Sequence, residues 1–154
     1  LPIFGCSCMV FLWVFSYDFS FIYDRAKMIV LDDLMHECSS SNMVSEAFTR
    51  KRHHHNLSVI IVLQNLYSKG SAMRDIHLNA EYIVLFQNPR DKGQFNHFAR
   101  QVEPTLSKSL IKVYIEATNK PYSHLMVDLK PHTPNMLRYR SNTLSDTQTV
   151  FIIS

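Results

Sequence analysis

Two adjacent carboxylates, Asp32 and Asp33, close the apolar run MIVL at residues 28–31. Like charges at that spacing repel, so the pair needs either free solvation at a strand tip or a cation to share. The second case is metal–nucleotide chemistry. One carboxylate holds a water on Mg²⁺, and the next polarises the water that attacks a phosphoryl group. Two further apolar runs end in amide pairs, Gln64-Asn65 and Gln87-Asn88. An amide beside the acidic pair could sense a terminal phosphate or orient the attacking water. Taken alone, an apolar run ending in acids is an ordinary strand end. With the amides in register, the nucleotide reading is preferred.

The elements that must position these groups follow from pattern. "MIVLDD", "LSVIIVLQN" and "EYIVLFQN" are continuous apolar runs of strand length, rich in β-branched residues. The third is entered through "MRDIHLNA". Between the first two, "SSSNMVSEAFTRKR" opens with serines able to cap a helix, and Met43, Val44, Ala47 and Phe48 fall at helical spacing. "DKGQFNHFARQVEP" predicts a helix with Phe95, Phe98, Ala99 and Val102 inward, ended by Pro104. Strands apolar throughout that alternate with helices imply an α/β fold with a parallel sheet covered on both faces. Ligands of such sheets bind at the carboxyl ends of the strands, where Asp32, Gln64 and Asn88 would gather. "SHLMVDLK" and "MLRYRSN", split by "PHTP", predict a C-terminal β-hairpin, with Asp128 a solvated strand end.

Length and composition bound the rest. The 154 residues suit one domain, and 46% apolar with 19% charged is a globular composition. A net charge of +3 permits nucleic-acid contact without arguing for it. Cys6, Cys8 and Cys38 are sparse and odd in number, which fits a reducing, intracellular compartment, the nucleus included, better than a disulfide framework. Residues 1–22 are strongly apolar and remain unassigned. Asp18 and several serines interrupt them, and the unbroken stretch at residues 9–15 is too short for a bilayer core of ~30 Å, so no membrane role is expected. His53, His54 and His55 cannot all face one ion on a regular element, so a basic turn with Arg50, Lys51 and Arg52 is preferred over zinc.

From "MIVLDD" through the His-rich link, "LSVIIVLQN", "LNAEYIVLF" and "NPRDK" to "ATNKPYSHLMVDLKPHTPNMLRYRSN", the ordered motifs resemble the second half of a viral genome-packaging ATPase. The branch is that of Maverick/Polinton elements and adintoviruses, in the FtsK/HerA-like P-loop class. The resemblance covers about residues 27–143. It implies a P-loop NTPase-type sheet, ATP and Mg²⁺ as ligands, double-stranded DNA and capsid proteins as partners, and a homo-oligomeric ring. Residue by residue it implies Asp32 as the carboxylate holding Mg²⁺ through a water and Asp33 as the catalytic acid. Gln64 becomes the amide on the adjacent strand. Arg74 is the first choice for the arginine that completes a neighbour's site, ahead of Arg50 and Arg52, and Arg90, after a strand end, could also reach a phosphate.

One part is missing. No G-x-x-x-x-G-K-[ST] occurs, and the glycines are only Gly5, Gly70 and Gly93. The Walker A cradle and its lysine would lie upstream. A chain opening at Leu1 is therefore expected to be the C-terminal part of a longer protein, and inactive as it stands. In this class the P-loop strand also runs in mid-sheet, between the strands that end at Gln64 and Asn88. The expected organisation is an N-terminal apolar segment at 1–22, an ATPase-like part at 23–143 and a tail at 144–154. The alternative is a non-catalytic nucleic-acid or protein-binding module derived from a mobile element.

Overall fold

Strand β3 (Ser58–Leu63, SVIIVL) is the axis of the first half of the fold. Its β-branched side chains are restricted in χ1 and favour the pleated backbone. The computed structural model describes residues 10–15, 28–32, 58–67, 71–143 and 147–154. They form two compact units, one within Met9–Ile83 and one over Val84–Ser154.

In the first unit β2 (Met28–Asp32) runs parallel to β3, with Ile29 opposite Val59 and Asp32 opposite Val62. On the other flank of β3 lies β1 (Val10–Phe15), antiparallel, with Val10 opposite Leu63 and Phe15 opposite Ser58. A strand held on both sides should lose both faces to the core, and Ile61, Val62 and Leu63 are buried in succession. Helix α1 (Ser71–Asn79) adds Ile76, fully buried, and the chain after it adds Ala80 and Ile83. "MRDIHLNA" is thus mostly helical, so Arg74 sits on a helix and not on a plain lead-in to the next strand. The Asp32–Val62 pairing keeps the expected parallel arrangement at β2–β3. The antiparallel β1 makes the sheet mixed.

Strand β4 (Tyr82–Phe86) carries the chain into the second unit. Ile83 and Leu85 are buried while Tyr82, Val84 and Phe86 are half-buried, so this strand alternates and is not covered equally on both faces. Helix α2 (Lys92–Val102) starts at Asp91, whose Oδ1 accepts from the backbone N–H groups of Gly93 and Gln94 at 3.0 and 3.2 Å. That satisfies two of the donors a helix start leaves orphaned. Gln94 closes the cap by donating from Nε2 to Asp91 Oδ2 at 2.9 Å. These hydrogen bonds, the Gln94 side chain foremost, hold the Asp91 carboxyl below its usual range. Phe95, Phe98 and Ala99 point inward as the spacing predicts, with Val102 only half-buried.

Helix α3 (Ser107–Ala117) packs on α2, with Tyr114 stacked on Phe95 at 3.9 Å between ring centroids. Strands β5 (His124–Asp128) and β6 (Tyr139–Ser141) form the predicted antiparallel hairpin, with Met126 opposite Arg140. Residues 144–154, set apart in sequence as a tail, include β7 (Thr149–Phe151), which pairs antiparallel with β6. The Ser109 hydroxyl donates to the Ser154 carbonyl at 3.1 Å and ties the chain end to α3.

One expectation is overturned here. Asp128 is not a solvated strand end: only 3% of it is exposed. Its Oδ2 accepts from Arg140 at 2.6 Å, its Oδ1 accepts from the Lys130 N–H at 3.1 Å, and its carbonyl accepts from the Arg138 guanidinium at 3.2 Å. The hairpin register brings the arginine from β6 diagonally across to the strand end, and a carboxylate with a charged donor on one oxygen and a backbone donor on the other can be buried. The predicted helix at 40–52, Asp33, Arg50, Arg52, the histidines at 53–55 and the three cysteines lie outside the described residues.

Candidate functional site

Parallel pairing decides which strand ends meet. Because β2 and β3 run the same way with Asp32 opposite Val62, both carboxyl ends lie on one edge of the sheet. Gln64 follows Leu63 directly, so its backbone lies two residues past the partner of Asp32. At strand rise that is roughly 7 Å further along the same edge. Asp33 continues the chain from Asp32. The edge therefore brings together the backbone of Asp32 and the residue Gln64, the latter exposed.

After Gln64 the chain turns. The Asn65 Oδ1 accepts from the Tyr67 N–H at 2.9 Å, an Asx turn that substitutes a side chain for a backbone carbonyl. Leu66 is buried, and the Tyr67 ring stacks on His77 of α1, with centroids 5.9 Å apart and planes at 20°. Burial pushes the Tyr67 phenol up to about 12. It also lowers His77 below 6.5, and this outweighs the opposing effect of a hydrogen bond to the Leu66 backbone. His77 was not singled out as a functional residue from the sequence. Its place after "MRD" on a helix, three residues beyond Arg74, is the signal that could have marked it.

Arg74 is exposed on α1. An arginine reaching into a neighbouring subunit must be free of its own core, and this one is compatible with that. Its removal should cost the fold little. Arg74→Ala is expected to change the unfolding free energy by less than ~0.5 kcal/mol, as for a surface substitution. Thermal unfolding of the variant checks this, and a larger loss would assign Arg74 to the fold.

The second amide pair belongs to the second unit. Asn88 Oδ1 accepts from the N–H groups of Arg90 and Asp91 at 3.0 and 3.1 Å. Its own N–H donates to the Tyr114 hydroxyl at 3.2 Å, and that hydroxyl donates to the Phe86 carbonyl at 2.8 Å. The Asn88 carbonyl is thus committed to the turn that launches α2. A pattern emerges across the two pairs. Each asparagine shapes a turn, while Gln64 and Gln87 are exposed. Arg90 is exposed in the Asn88 turn.

Among the described residues no group of three or more His, Cys, Asp or Glu side chains gathers around one point. Mg²⁺ does not need such a cage, since it is commonly held by one or two carboxylates, waters and the substrate's phosphates. Among the described residues no helix is long and apolar enough to cross a membrane. Comparison with protein-family models, curated proteins and solved structures gave no match to this chain.

Proposed function

We propose that this chain is the C-terminal part of a DNA-packaging-type ATPase core, with its nucleotide edge at the carboxyl ends of β2 and β3. The parallel β2–β3 register supports this function, with Asp32 opposite Val62 and Gln64 just beyond on the same edge. The donor set is oxygen-only, as Mg²⁺ prefers, and the ion would offset charge on the phosphates. Asp32 would hold it through a water, Asp33 would take the proton of the attacking water, and Gln64 would orient that water. Arg74 would serve the site of an adjacent subunit. In the intact protein the activity is ATP hydrolysis coupled to movement of double-stranded DNA into a capsid.

Positioning of the phosphates supplies most of the catalysis in phosphoryl transfer, and the residues that would do it are absent from this sequence. The chain by itself is therefore expected to show no Mg²⁺-dependent ATP turnover. Turnover that Asp33→Asn abolishes would overturn that expectation. The site itself is tested with manganese and ADP, followed by NMR. Paramagnetic broadening should strike the Asp32 and Gln64 amides together and vanish in Asp32→Asn. Broadening at only one of the two residues, or broadening indifferent to the substitution, ends the reading.

β1 lies antiparallel on the flank of β3 opposite β2, the flank where this class runs its P-loop strand. A strand of other origin in that place suits a non-catalytic nucleic-acid or protein-binding module.

A further inference from the structure

We propose that His77 is a positioning residue: from the last turn of α1 its ring clasps the Gln64–Tyr67 turn and fixes the end of β3. The consequence for catalysis rests on the reading of Gln64 given above. The clasp itself does not.

The clasp has two contacts and one constraint. The imidazole lies on the Tyr67 ring, 5.9 Å between centroids. Its hydrogen bond to the Leu66 backbone ties it to the residue before. Its Nε2 is buried and has no hydrogen-bond partner among the described residues. The nitrogen that donates to Leu66 is therefore Nδ1, and the ring is held as the neutral Nδ1–H tautomer. A proton arriving on Nε2 would create a buried N–H with no acceptor, an arrangement that folded proteins avoid. The same turn is stiffened from within by the Asn65–Tyr67 hydrogen bond, so the ring supports a preformed structure.

Charge around the ring bears on when the clasp holds. His77 stands in the last helical turn, where the helix dipole favours a cation, yet burial dominates and keeps the ring neutral. From the turn it faces the Tyr67 phenol, uncharged at neutral pH. On its own helix Arg74 lies one turn back, exposed, and Glu81 follows the helix four residues on, half-buried. The unfolded chain binds the His77 proton more readily than the folded one. The stability that the neutral ring contributes is thus complete above about 6.5 and falls as pH drops toward the lower folded value. His124 shifts in the same direction, so a bulk pH–stability curve does not isolate His77.

NMR on the whole chain isolates it. Long-range ¹H–¹⁵N correlation should find His77 as the Nδ1–H tautomer at about pH 8. On titration toward about pH 5 its half-point should fall below 6.5, with the Leu66 and Tyr67 amides shifting in step. His77→Phe keeps a ring against Tyr67 but removes the donor, and should abolish that pH dependence in the turn. An Nε2–H tautomer, an ordinary half-point or turn amides that ignore the ring would overturn the proposal. Should the variant fail to fold, the wild-type titration decides alone. The manganese experiment reads Gln64 separately, so a loose clasp and a mistaken nucleotide edge give different results.

Discussion

Arg140→Met is expected to lower the unfolding free energy by about 3 kcal/mol, because it strands a carboxylate in the second unit's core. Asp128 has a side chain only 4% exposed and meets Arg140 at 2.6 Å. Methionine keeps much of the arginine's apolar stem, so the loss measures the charge and its hydrogen bond more than packing. The Lys130 N–H would then be the Asp128 side chain's remaining donor among the contacts described above. The Arg140 side chain is 21% exposed, so water relieves part of the cost, which places the figure at the lower end for buried pairs. Denaturant unfolding of the single variants and of Asp128→Asn/Arg140→Met checks it. The double variant should recover a substantial part of the loss. A loss below ~1 kcal/mol for Arg140→Met would make this an ordinary surface pair.

Deleting residues 1–22 is expected to do more damage still. It removes β1, which pairs with all six residues of β3. The cut would leave an open edge beside Ile61, Val62 and Leu63, all buried in the folded chain. Each backbone group left buried and unpaired costs ~1–3 kcal/mol, and a whole domain has a margin of only ~5–15 kcal/mol. Open edges also recruit other chains. The truncated chain should therefore aggregate or lose cooperative unfolding, as read by size-exclusion chromatography and urea titration. A soluble monomer that unfolds cooperatively would show that β1 is an appendage.

Much of the architecture is legible in the sequence because it depends on local pattern. β2, β3 and β4 are the apolar runs, and α2 carries both its cap, Asp91, and its inward phenylalanines. The β5–β6 hairpin follows from two short runs around "PHTP". Helix α3 is harder to see, since Ile111, Val113 and Ile115 in SKSLIKVYIEA are β-branched and resemble a strand by composition. What decides it is packing against α2 through Phe95 and Tyr114, which no local pattern states. The partner of Asp128 was illegible for a related reason. Cross-strand neighbours depend on register, and the link between β5 and β6 does not fix it. At the candidate site, the pairing of Asp32 and Gln64 on one edge follows from parallel strands. The Asn65 and Asn88 turns were open to prediction, since asparagine at a strand end is turn chemistry first. His77 was not, because its role depends on a ring brought from another element.

On the proposed function, Asp32 and Gln64 form half of a nucleotide site whose other half is a phosphate cradle. Reading the in-frame coding sequence upstream of Leu1 tests it most directly. The expected result is an apolar strand running into G-x-x-x-x-G-K-[ST], the loop that this sequence lacks. Stop codons or unrelated sequence in that frame would contradict it and favour the non-catalytic module.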